Sequence, residues 1–162
     1  MIAAAGFAGI VFTMSGAAFA QTPHAAAEGF LGHAGFLDDS TINHSVWGAA
    51  ARWYVLPRVA IGPELVYLKG PRDDRDLVIT GNVTFDFVAS PSITPFLVAG
   101  AGMFRHSDKF SGQTFTSTEG SFTAGGGLRV PIGERLYIAP EFRVGWEPHY
   151  RVSVALGWRF GD

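Results

Sequence analysis

Cysteine is absent from the 162-residue chain. Disulfides and thiolate metal sites are therefore excluded, although that alone does not fix the compartment. Charge is scarce: Asp, Glu, Lys and Arg make up 16% of the residues, against roughly 25% in ordinary globular domains. With 14 acidic and 12 basic side chains the formal net charge is -2, so neither a polyanion-binding surface nor a nucleic-acid partner is expected. No Lys or Arg precedes Arg52. After residue 20 no apolar run approaches the roughly 18 residues that a spanning helix requires. The length suits one domain better than two.

Glycine, by contrast, is abundant at 21 residues, and aromatics reach 14%. The opening stretch, MIAAAGFAGIVFTMSGAAFA, is small and apolar and closes on Ala18-Phe19-Ala20. Small residues three and one places before a cut form a secretory cleavage pattern, which makes Gln21 the expected mature N-terminus. The usual positive n-region is missing, so either the true start lies upstream or the peptide is a weak one. Residues 1–20 are read as a signal peptide and residues 21–162 as a single β-barrel domain.

A period of two runs from about residue 26 to the end, the signature of strands with two different faces. In the last strand Tyr150, Val152, Val154, Leu156, Trp158 and Phe160 are large and apolar. Arg151, Ser153, Ala155, Gly157 and Arg159 between them are small or charged. The same alternation sets Leu136, Ile138, Pro140, Phe142, Val144 and Trp146 against Tyr137, Ala139, Glu141, Arg143, Gly145 and Glu147. It recurs around Phe85 and Phe87, around Phe122 and Leu128, around Ile61 and Tyr67, and around Trp47 and Trp53. Two further segments, Glu28–Phe36 and PFLVAGAGMF, are small or apolar on both faces, so their orientation stays open. Eight strands result. Connections alternate between short, Pro-containing turns (Leu56–Arg58, Ser90–Thr94, Pro131–Glu134) and longer polar loops (Leu37–His44, Lys69–Asp76, Arg105–Gly120), as in an up-and-down meander. Pro63 and Pro140 lie inside strands, where a missing N–H places them at bulges or near strand ends.

Eight amphipathic strands can bury their apolar face, as a soluble lipocalin-like periplasmic barrel does, or turn it outward to lipid. Volume favours the second. An eight-stranded barrel is just wide enough inside to be filled by side chains. The set Trp47, Trp53, Tyr67, Phe85, Phe87, Phe122, Phe142, Trp146, Trp158 and Phe160 is too bulky for that space. Tyr150 to Phe160 spans roughly 33 Å, or about 25 Å vertically at a tilt near 40°, the height of a lipid-facing band. The expected fold is an all-β, eight-stranded antiparallel up-and-down transmembrane β-barrel. Its aromatic girdles are Trp47, Trp53, Tyr67, Phe85, Phe87, Trp146, Tyr150, Trp158 and Phe160. Trp47 and Trp146 belong at the loop end; Trp53, Trp158 and Phe160 belong at the turn end.

The export signal, the eight alternating strands and the terminal Trp158-Arg159-Phe160 together resemble the small outer-membrane β-barrel family (OmpA/OmpX-like, a porin-family β-barrel domain). The resemblance covers nearly all of the mature chain. It implies a Gram-negative-type outer membrane, lipid as the surrounding partner, and a monomeric barrel. It also implies that Val152, Val154, Leu156, Trp158 and Phe160 form an assembly signal for the barrel-assembly machinery. Gly161-Asp162 after the final aromatic departs from that signal.

Arg52, Glu64, Asp86, Arg129, Glu141, Arg143 and Arg159 fall on the lumen phase. Unpaired charges there cost several kcal/mol each, so a salt-bridge network filling the lumen is expected; a gated narrow pore is the alternative. His44, His106 and His149 sit in or near the long loops beside acidic pairs. No i,i+2 or i,i+4 histidine spacing marks a metal site, and none is expected. His106-Ser107 are neighbours and point to opposite faces of a strand, so they build no catalytic pair. No cofactor and no catalysis are expected. The loops remain the place for an external ligand.

Overall fold

The computed structural model describes residues 24–37, 41–72, 74–87, 93–110, 113–146 and 149–161, and its elements are all strands. They are β1 (Ala25–Leu37), β2 (Thr41–Leu56), β3 (Val59–Lys69), β4 (Arg75–Asp86), β5 (Thr94–Phe110), β6 (Gln113–Pro131), β7 (Leu136–Gly145) and β8 (His149–Phe160). Each pairs antiparallel with its sequence neighbour, and β1 pairs with β8, closing the barrel. Closure leaves no sheet edge through the wall, which is what a hydrocarbon surrounding demands.

The register fixes the barrel's shape. Directly opposed residues run from Ala25 through Trp53, Ile61, Val83, Ala99, Ala124, Val144 and Tyr150 back to β1 at Gly35, ten residues beyond the start. A stagger of that size over eight strands tilts them by about 40°. The lumen is then narrow enough for side chains to meet across its axis.

The faces are inverted relative to a water-soluble barrel. Among the described residues, seventeen buried side chains are polar or charged and fifteen are apolar or aromatic. The large apolar residues stand outside: Leu31 is 69% exposed, Val154 51% and Phe142 51%. An apolar belt this extensive is far beyond the few hundred Å² that soluble monomers leave in water. It is a lipid-facing surface. No helix among the described residues is long and apolar enough to cross a membrane; the crossing is made by strands.

The two strands of open orientation are settled by burial. Ala26, Glu28, Phe30 and Ala34 of β1 point inward, as do Thr94, Phe96, Val98 and Phe104 of β5. The lumen is therefore not only small and polar. It also holds the rings of Phe30, Phe96 and Tyr137, each directly opposite a glycine: Phe30 faces Gly48, Phe96 faces Gly127 and Tyr137 faces Gly157. A Cβ at Gly48 would lie 2.3 Å from Phe30 Cζ and 2.4 Å from the Leu65 carbonyl oxygen. Glycine thus makes room for each ring to lie over the neighbouring strand. Gly48→Val should lower unfolding free energy by about 1–3 kcal/mol through overpacking, since the Leu65 backbone cannot step aside. Urea titration in micelles reads that loss.

Two expectations are corrected. Arg105–Gly120 is not a loop but mostly strand: β5 and β6 stay paired out to Phe110 opposite Gln113. The Thr- and Phe-rich run Thr114–Thr118 has high strand propensity, and the ladder satisfies its backbone beyond the barrel wall. Pro63 and Pro140 lie at neither bulge nor strand end. Both are mid-strand and keep one partner, Gly81 and Val154 respectively. On the other side the ladders pass from Ala50–Glu64 to Trp53–Ile61 and from Gly127–Glu141 to Val130–Ile138 without a register shift there. The missing proline donors interrupt one ladder and leave the other intact.

Candidate functional site

The lumen charges form two connected layers. In the layer nearer the loops, Arg143 spans the axis. Its Nη2 donates to Glu64 Oε2 at 2.7 Å and its Nε to Glu141 Oε1 at 2.6 Å. Arg151 pairs with the same two carboxylates, at 2.9 Å to Glu64 Oε1 and 3.0 Å to Glu141 Oε1. Arg143 and Arg151 are directly opposed across β7 and β8, normally a destabilising like-charge pair. Here two carboxylates interleave with the two guanidinium groups. Gly125 and Gly127 lie opposite Arg143 and Glu141, and a Cβ at Gly125 would come within 2.8 Å of the Arg143 stem. Glycine again clears the path for a long side chain.

Pro63-Glu64 and Pro140-Glu141 repeat the same dipeptide at the same phase. The fold gives the echo a purpose, since both glutamates meet Arg143 from different strands. Each proline takes the outward position, where its side chain faces lipid.

The second layer lies toward the turns. Arg129 Nη1 donates to Asp86 Oδ1 at 2.5 Å, Tyr54 OH to Asp86 Oδ2 at 3.1 Å, and Tyr137 OH to Glu28 Oε1 at 2.6 Å. Arg52 pairs with Glu28 and reaches Glu141 Oε2 at 4.0 Å, linking the layers. Arg129 also lies over the Phe96 ring at 4.2 Å, a cation–π contact strengthened by burial. Four arginines thus face four carboxylates. The cavity bordered by Glu64, Thr80, Thr123, Arg143 and Arg151 measures about 10 Å³, room for one water at most. Tyr137→Phe should cost about 1–3 kcal/mol, because Glu28 loses a buried donor; the thermal midpoint in detergent reports it.

Of the seven lumen charges expected from phase, Arg52, Glu64, Asp86, Arg129 and Arg143 are buried and Glu141 is nearly so. Arg159 is half-buried at the turn end, over the Tyr137 ring at 5.0 Å. Glu28 and Arg151 complete the network and were not among the seven. An acid cannot face lipid, so Glu28 by itself orients β1; Arg151 carries the same signal in β8. Trp47, Trp53, Phe85, Phe87, Trp146, Trp158 and Phe160 are exposed on the outer wall, and Tyr67 and Tyr150 are half-buried. Val152, Val154 and Leu156 join them there. Ala18, Ala20 and Gln21 lie outside the described residues.

Two depressions differ in character. One, of about 660 Å³ on the outer wall, is lined by Leu31, Trp47, Leu65, Tyr67, Val154 and Leu156 around Gly29 and Ala49; it is apolar and belongs to the lipid face. The other, of about 520 Å³, opens at the loop end and is lined by Phe36, His44, Asp74, Asp76, Phe104 and Glu119 among others. Of these two, it is the one lined by ionisable groups.

Solved structures share this architecture. Neisserial surface protein A (NspA) superposes with a TM-score of 0.76 over 85% of this chain and 97% of its own, at 12% identity. The N-terminal β-barrel domain of Pseudomonas aeruginosa OprF gives 0.70 over 86% and 100%, also at 12% identity. The fold is that of the small eight-stranded outer-membrane barrels. Ail, the attachment invasion locus protein of Yersinia pestis, gives 0.62 over 84% and 97%, at 14% identity. The sequence matches no family model and no curated protein. Such distant sequences sharing one shell follow from the constraints already described: closure, a lipid-facing exterior and a filled lumen.

Proposed function

We propose that the chain is an exported, monomeric outer-membrane protein of a Gram-negative-type bacterium. Its lumen is a closed ionic plug, and its role is structural or surface interaction rather than catalysis or transport. The observation that carries this reading is the Arg143–Glu64–Glu141–Arg151 layer, which crosses the axis with charges paired at 2.6 to 3.0 Å. An ion entering would have to break those pairs in a low-dielectric space.

Planar-bilayer recording tests it. The wild-type protein should show no discrete conductance steps. Steps whose ion selectivity changes in Glu141→Gln and Arg143→Gln would support a narrow pore instead. Cell fractionation tests the location: recovery in the soluble periplasmic fraction contradicts it. The outward run Val152, Val154, Leu156, Trp158 and Phe160 supports recognition by the barrel-assembly machinery. Removal of residues 1–20 in export places Gln21 first in the mature chain, which N-terminal sequencing reads.

An external ligand would meet the loop end. Ail has been crystallised with the heparin analogue sucrose octasulfate. In the present chain the cleft at the mouth sets Asp74, Asp76 and Glu119 beside His44 and His106, a lining with no cluster of arginine or lysine to hold a polyanion of that kind. A cationic or metal-bearing partner suits it better.

A further inference from the structure

At the loop end four side chains from three strands and one connection converge. His44 comes from β2, Asp74 from the connection before β4, Asp76 from β4 and His106 from β5. His44 Nε2 lies 2.9 Å from Asp74 Oδ2 and 3.4 Å from Asp76 Oδ2. His106 Nδ1 lies 2.6 Å from Asp76 Oδ1 and 3.6 Å from Asp74 Oδ1. Each carboxylate therefore turns one oxygen to each imidazole. His44 and Asp76 are 3% and 2% exposed, so neither is a solvated surface group.

We propose that His44 Nε2, Asp74 and Asp76 form a binding site for a divalent transition metal, zinc above all, with His106 orienting the two carboxylates from behind. The three donors lie within 4.8 Å of one another. A tetrahedral zinc bound at about 2.0–2.1 Å separates neighbouring donors by roughly 3.3 Å, and the observed 2.9 and 3.4 Å lie on either side of that value.

Two further observations point to a cation. First, His44 Nδ1 lies 3.4 Å from the Ile42 carbonyl oxygen. A carbonyl accepts, so Nδ1 carries the hydrogen, and a neutral ring then presents the Nε2 lone pair to two carboxylates. That contact is repulsive unless a proton or a metal ion lies between them. The same backbone bond fixes the tautomer of many metal-ligating histidines. Second, Asp74 Oδ1 is buried and accepts no hydrogen bond within the protein. A buried carboxylate oxygen left so is costly, and a metal shared by the carboxylate offsets that cost.

The connection is shaped for the site. The Gly70 N–H donates to the Asp74 carbonyl oxygen at 3.1 Å. A Cβ at Gly70 would lie 2.3 Å from Asp74 Oδ2 and 2.5 Å from His44 Nε2, so a larger residue there would push against the donor atoms. Mixed imidazole and carboxylate donors suit zinc and its neighbours, whereas magnesium and calcium prefer all-oxygen shells. The cleft beside the site leaves a fourth coordination position open to solvent or a partner. The proposal deepens the surface-interaction reading, but its test does not depend on it.

The experiment is a zinc titration of the tag-free, detergent-folded full chain by calorimetry, with cobalt absorption as a second signal. One equivalent should bind, and magnesium should not compete. His44→Gln and Asp76→Asn should each weaken zinc binding at least tenfold and abolish the tetrahedral cobalt spectrum. His106→Gln should weaken it by about tenfold, as outer-shell changes do. Glu119→Gln, in the same cleft, should leave it unchanged. Heat-modifiable migration on gels checks that each variant is folded. If Asp76→Asn does not fold, Asp74→Asn at the more exposed rim takes its place. Wild-type protein that retains no zinc, or zinc affinity equal in wild type and His44→Gln, overturns the site; the second outcome would leave His44 as a protonated partner of the two aspartates. The closed-lumen reading is judged by conductance, so the two can fail separately.

Discussion

Arg143→Ala should lower the free energy of unfolding by about 3–5 kcal/mol, the cost of stripping one partner from a buried ionic group. Arg143 is 1% exposed and holds Glu64 and Glu141 together across the axis. Its removal leaves Arg151 to balance two carboxylates, with only the 4.0 Å contact of Arg52 to Glu141 beside it. A compensating double change separates lost pairing from lost volume. Glu64→Gln with Arg143→Met should recover most of the loss, because Arg151 stays paired with Glu141 and a buried ion pair replaced as a set by neutral groups is often close to neutral in stability. Urea unfolding in lipid vesicles gives both values. A single-mutant loss under about 1 kcal/mol would mean that water already solvates these charges, and the closed lumen would then be wrong.

The second large effect lies on the outer wall. Val154 stands mid-strand in β8 and is exposed. Val154→Arg should cost about 2–4 kcal/mol, as a cation at the bilayer midplane does, whereas Phe160→Arg at the strand end should cost only about 0–1 kcal/mol for the charge itself. The contrast matters more than either number. A water-facing exterior has no depth, so equal, small effects at both positions would contradict a lipid surface. Folding yield into vesicles gives a parallel reading, with Val154→Arg the poorer.

Much of the barrel is legible in the period of two, because a one-residue slip would carry every apolar side chain to the wrong face. That logic places Arg52, Glu64, Asp86, Arg129, Glu141 and Arg143 on one side of the wall. It cannot say which meets which. Arg143 and Glu64 are seventy-nine residues apart, and only the stagger brings them together. Gly29, Gly32, Ala34 and Gly35 blur the two faces of β1 and leave its orientation open; the inward Glu28 is the signal that settles it. The glycine and aromatic pairs, such as Tyr137 with Gly157, depend on cross-strand register in the same way. The His44 and Asp74 cluster joins residues thirty positions apart. A search for histidines at regular spacing has no way to find it. The extension of β5 and β6 is illegible for a different reason: polar, hydroxyl-rich sequence is common to loops and to strands exposed beyond a membrane.

The absence of cysteine makes the central claim directly measurable. Single cysteines introduced at positions 151–159 of β8 can each carry a nitroxide label, with oxygen collision rates measured in reconstituted vesicles. Oxygen concentrates in hydrocarbon, so collisions should be high at 152, 154, 156 and 158 and low at 151, 153, 155 and 157. A profile with the opposite phase, or with no alternation, would show that the large apolar side chains of this barrel do not face lipid.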